Sequence, residues 1–75
     1  MAKVRLTSHA IERISQRGIS KKRVKEVIKN SENSKAAGDG KMIARHKGNY
    51  DQPVEVIYVQ QSPNTFLVVT AYYAS

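Results

Sequence analysis

The sequence predicts an α+β fold in which two N-terminal helices pack on a three-stranded antiparallel meander, in the order ααβββ. Three observations carry that expectation. Apolar residues recur at helical spacing up to about residue 30, then at strand spacing after about residue 40. A polar, glycine-rich stretch separates the two regimes. The apolar runs that follow are joined by connections so short that consecutive strands must be antiparallel neighbours. At 75 residues the chain has room for one domain, residues 1–75, with a small core.

The first helix is read over residues 8–17, where Ala10, Ile11 and Ile14 stand at i, i+1 and i+4 on one face. Thr7 or Ser8 is placed to cap its start, and Gly18 to end it in a left-handed conformation. Ser20 caps a second helix running to about Asn30, whose apolar face is Val24, Val27 and Ile28. Residues 31–40 have no apolar period and read as a loop. Three strands follow: Lys41–Lys47, which alternates, Val54–Gln60, rich in β-branched residues, and Thr65–Tyr73, apolar through Phe66-Leu67-Val68-Val69. Residues 48–53 and 61–64 carry the Gly, Asn, Asp, Ser and Pro of turns.

The charge is segregated. The net charge is +7, and residues 1–30 hold nine Lys and Arg against Glu12 and Glu26 alone. Residues 31–75 balance Lys35, Lys41, Arg45 and Lys47 against Glu32, Asp39, Asp51 and Glu55. One-sided charge of this kind makes a field that attracts polyanions, so RNA is the expected partner. The absence of cysteine removes disulfides and thiolate metal sites, and two histidines without ligand spacing argue against a metal; no cofactor is expected. No apolar run is long enough for a signal peptide or a membrane span, so a cytoplasmic protein with no membrane partner is expected. A core this small makes a homodimer or a bound partner the expected source of extra stability.

With about 100° per residue, Arg13 and Arg17 lie about 40° and 80° from His9, at the border of the apolar face. This stripe is about 12 Å long, a span that suits two or so successive phosphates. Arg is the fitting residue, because its planar fork binds phosphate bidentately. On the second helix Lys22, Lys25 and Lys29 form a more diffuse basic stripe, which a solvated helix surface explains adequately. Arg45 and Lys47 face one way on the first strand, and Tyr72 and Tyr73 close the last. Convergence of His9, Arg13 and Arg17 with Arg45 and Tyr72 would supply a proton acceptor, charge stabilisation for a pentacovalent phosphate and a hydroxyl. Those are the parts of metal-independent RNA cleavage by the 2′-hydroxyl.

The run Thr7-Ser8-His9-Ala10-Ile11-Glu12-Arg13-Ile14-Ser15-Gln16-Arg17-Gly18-Ile19-Ser20 resembles the opening T/S-x-H-A-x-x-R-x-x-x-R-G-I-S motif of a family of small prokaryotic domains of unknown function. That family is similar in layout to RelE-like toxins, the ribonucleases of toxin–antitoxin systems. The resemblance implies a RelE-like domain, a toxin-like endoribonuclease activity with His9, Arg13 and Arg17 as motif positions, and an acidic antitoxin-like protein as partner. It departs at the end of the chain, where Tyr72-Tyr73-Ala74-Ser75 lacks the basic residue that RelE-like toxins carry after the last strand. The site expected from the residues is therefore His9, Arg13, Arg17 and Tyr72 for chemistry, with Arg13, Arg17, Arg45, Lys47, Lys22 and Lys25 on the nucleic acid. A non-catalytic nucleic-acid-binding module and an interaction domain for an acidic protein are the alternatives.

Overall fold

A computed structural model describes residues 3–30, 33–48 and 50–74. Parts of four expectations lie outside the described residues: the chain start Met1-Ala2, Ser31 and Glu32 of the loop, Asn49 of the first turn and Ser75 of the closing run. The elements are β1 (Lys3–Leu6), α1 (Ser8–Arg17), α2 (Lys21–Asn30), β2 (Asn33–Gly38), β3 (Lys41–His46), β4 (Val54–Ser62) and β5 (Thr65–Tyr73).

The strands form one five-stranded mixed sheet in the order β1-β5-β4-β3-β2, with β1 parallel to β5 and every other pair antiparallel. This corrects the expected three-stranded ααβββ meander. Both added strands lie at the sheet edges and are short. In β1 only Val4 and Leu6 alternate with Lys3 and Arg5, and the strand becomes legible once β5, some sixty residues later, pairs with it. β2 falls in the polar stretch expected to be a loop. It is held to β3 by the turn Asp39-Gly40, whose φ values of +54° and +75° are those of a type I′ hairpin. β4 also runs on through Gln61 and Ser62, which had been expected in the turn.

Both helices cover one face of the sheet: α1 lies on β5 and β1, α2 on β3 and β4. The Thr7 hydroxyl oxygen accepts from the Ala10 N–H at 3.0 Å, capping α1. Gly18 ends the helix at φ +70°, which lets the Ile19 N–H reach the Ile14 carbonyl at 2.8 Å. Ser20 caps the next helix through the Arg23 N–H at 3.0 Å. The tight Gly18-Ile19-Ser20 connection sets the helices side by side, and they bury Ala10, Ile14, Ile19, Val24 and Val27. From the sheet come Ala44, Val54, Val56, Tyr58, Val68 and Ala71, with Tyr58 edge-on to Phe66 at 5.5 Å.

A bulge in β5 makes this core continuous. Ile57 pairs with Thr70 and Tyr58 with Val68, so Val69 has no opposite number. The extra residue shifts the alternation by one and brings both Val68 and Ala71 under the helices. The opposite face of the sheet carries no helix. Ile43, Ile57 and Leu67 lie there half-buried, together with Arg45, Glu55 and Tyr72.

Candidate nucleic-acid interface

The motif residues of α1 fall into two groups. His9 is exposed in the first turn, where its Nε2 accepts from the Arg13 Nε–H at 3.3 Å. In this exposed i, i+4 contact the guanidinium is the donor and the ring nitrogen the acceptor. Arg17 reaches the other way and donates from a terminal guanidinium nitrogen to the Ala71 carbonyl at 2.8 Å. The cause lies in the sheet. β1 stops at Leu6 beside Val68, so the next outward carbonyl of β5 lacks a strand partner, and Arg17 supplies one.

Neither Arg13 nor Arg17 has a carboxylate within ion-pair distance among the described residues, where the pair between Arg45 and Glu55, at 4.0 Å, is the single one. Glu12, the nearest acid in sequence, accepts instead from the Gln16 amide at 3.4 Å. Among the described residues the charge of the two guanidiniums is therefore not compensated by a carboxylate at ion-pair distance.

The expected convergence with the sheet residues does not occur on this face. Ala71, Val56 and Ala44 point under the helices, so their strand neighbours Tyr72, Glu55 and Arg45 point to the open side. There the Tyr72 hydroxyl hydrogen-bonds the Glu55 carboxylate, which with partial burial and the nearby negative charge raises the phenol above its ordinary 10. Arg45 and Tyr72 thus belong to one cluster about Glu55, and His9, Arg13 and Arg17 lie on the other side of the sheet.

Lys22 and Lys25 are exposed on α2, and Lys25 stands on the rim of an open groove of about 780 Å³ with Lys3, Arg5 and Lys29. Lys47 is exposed, and its carbonyl accepts from Arg23 at 3.4 Å. No group of three or more potential metal ligands stands together among the described residues, and no helix is long and apolar enough to cross a membrane.

A feature that the residue pattern did not reveal lies where α1 ends and α2 begins. Arg23 is 6% exposed, and donates to the Gln52 carbonyl at 2.8 Å as well as to that of Lys47. Its guanidinium carbon stands 3.4 Å from the centroid of the Tyr50 ring, a cation–π stack. Tyr73, on the helix side of β5, donates to the Gly18 carbonyl at 3.3 Å. Arg23, Tyr50, Asp51, Gln52 and Tyr73 line a concavity of about 440 Å³. The available sequence signal was a tyrosine inside a turn and a second one at a strand end, and neither position has a period that marks it.

No curated protein and no solved structure matches the chain. A family model does, over residues 6–73, and it is described as a domain of unknown function (DUF4258). The match takes in both helices, the whole of β2 to β5 and the last residue of β1, and on that extent the chain belongs to the DUF4258 family.

Proposed function

We propose that this protein binds RNA through the exposed side of α1, with Arg13 and Arg17 on successive phosphates and His9 beside the first of them. The observation that carries the reading is the pair of guanidiniums without a carboxylate partner among the described residues, in a chain whose excess charge lies entirely in residues 1–30. Lys22 and Lys25 extend the attraction over α2 without fixing a register.

The test is the salt dependence of RNA affinity by fluorescence anisotropy. Wild type shows a log–log slope that Arg13→Gln/Arg17→Gln makes shallower by about 0.7 for each single-strand phosphate contact removed. An affinity that does not change between low and moderate salt overturns the reading and points to an acidic protein on this face instead.

Metal-independent cleavage of the bound RNA is a second reading, favoured by the resemblance to RelE-like toxins and by the His9 ring nitrogen held against the Arg13 guanidinium. His9 then takes the 2′-hydroxyl proton, the 2′-oxygen bonds to phosphorus, and Arg13 and Arg17 stabilise the phosphorane. The bond to the 5′-oxygen breaks to leave a 2′,3′-cyclic phosphate, the departing oxygen taking a proton from water. Tyr72, on the opposite face, has no part in such a step. With chelator present, wild type cleaves RNA and His9→Ala lowers the rate at least a hundredfold with little change in affinity. Binding without cleavage leaves the protein a binding module.

A further inference from the structure

We infer that the concavity formed by Tyr50, Tyr73 and Arg23 is a base-binding pocket, which takes one unpaired nucleobase of the RNA whose phosphates lie along α1. The inference rests on the proposed RNA binding and adds what part of the RNA is read, and where.

Three large apolar side chains are exposed among the described residues, and two of them, Tyr50 at 44% and Tyr73 at 43%, line this one concavity. Isolated exposed aromatics are ordinary, but two facing one hollow beside an arginine make a stacking platform. Both rings are already ordered. Tyr50 is fixed by its stack on Arg23, and Arg23 in turn by two backbone carbonyls; Tyr73 is tied through its hydroxyl to Gly18. A base that stacks here orders little that folding has not ordered already.

Charge and size narrow the ligand. Arg23 is buried with no carboxylate at ion-pair distance among the described residues, so the floor is positive. Asp51 stands on the wall, where its carboxylate opposes entry of a phosphate and accepts hydrogen bonds from a base edge. Phosphate is then held outside, where Arg17, bonded to a carbonyl two residues before Tyr73, is a candidate to hold it. A hollow of about 440 Å³ admits one nucleoside. A base inside a duplex has its faces occupied by its neighbours, so the pocket selects single strands.

The experiment compares a ten-nucleotide oligouridylate with an RNA duplex of the same length. The chain has no tryptophan, so its intrinsic emission comes from its four tyrosines and reports stacking directly. The single strand quenches that emission and the duplex does not. Tyr50→Ala/Tyr73→Ala weakens single-strand binding about tenfold or more and leaves duplex binding unchanged. Tyr50→Phe, which keeps the ring and its stack on Arg23, binds as wild type; circular dichroism verifies the fold of each variant.

A double variant that binds the single strand as wild type does, while Arg13→Gln/Arg17→Gln still weakens it, overturns the pocket and leaves phosphate binding standing. Equal weakening on single strand and duplex also overturns it, because the tyrosines then act only through the fold. Absence of any RNA binding by wild type removes both readings.

Discussion

Arg13 and Arg17 occupy equivalent places in the repeat of α1, yet their surroundings differ. Arg13 contacts one exposed neighbour on its own helix, whereas Arg17 closes a carbonyl that the sheet leaves open. Removal of Arg17 strands that acceptor, and removal of Arg13 strands nothing that water cannot reach. Arg17→Gln is therefore expected to lower the unfolding free energy by about 1 kcal/mol, and Arg13→Gln by less than about 0.5 kcal/mol. Urea denaturation followed by circular dichroism measures both. Equal losses would show that the Ala71 contact contributes no stability. On the proposed RNA binding the two variants both weaken RNA affinity but separate on stability, so a role of Arg17 in the fold can be told apart from one in binding.

At the scale of elements, β5 has the most to reconcile. It pairs with β1 and β4, lies beneath α1, and carries Tyr73 to the end of that helix. Period-two alternation alone would put Val68 and Ala71 on opposite faces, and the extra residue Val69 prevents it. Deletion of Val69 forces either Val68 or the Ala71–Tyr73 end onto the open face. The expected outcome is loss of cooperative thermal unfolding and of the near-ultraviolet tyrosine signal, while far-ultraviolet ellipticity is partly kept. A deletion variant with a wild-type melting curve would mean that the strand re-registers at no cost.

The same elements show how far the sequence could be read. α1 and α2 were legible because their punctuation is local: Thr7, Gly18 and Ser20 act within four residues of themselves. β1 was not, since four residues alternating Lys-Val-Arg-Leu gain hydrogen-bond partners only from a strand at the far end of the chain. β2 was half-legible. Asp39-Gly40 is a strong hairpin signal, but Ser34, Lys35, Ala36 and Ala37 are exposed and either small or charged, so no apolar pattern drew attention to it. Short, basic or polar edge strands are also what keeps a sheet from pairing with other chains, so the property that hid them has a use.

At the scale of the whole molecule, seven of the nine cations of residues 1–30 lie on α1 and α2, which puts like charges close together in the helix layer. Their mutual repulsion opposes folding, and mobile ions screen it within about 10 Å at 0.1 M salt. The melting temperature is therefore expected to rise by a few degrees between about 0.02 and 0.5 M sodium chloride, as read by differential scanning calorimetry. A melting temperature that falls over that range would mean that net attraction among charges outweighs the repulsion. On the proposed RNA binding, added RNA is expected to raise the melting temperature as salt does.

The sequence by itself determined the helices, their caps, the segregation of charge and the basic stripe His9-Arg13-Arg17, because each depends on residues a few positions apart. Only the tertiary structure decided which residues share a surface. Tyr72 and Tyr73 are adjacent in the chain and end on opposite faces of the sheet, one beside Glu55 and the other beside Gly18. Arg23 and Tyr50 are far apart in sequence and stack at 3.4 Å. Strand alternation is set by register, and register by a single unpaired residue, Val69, so the side on which each tyrosine falls was settled by pairing across the sheet.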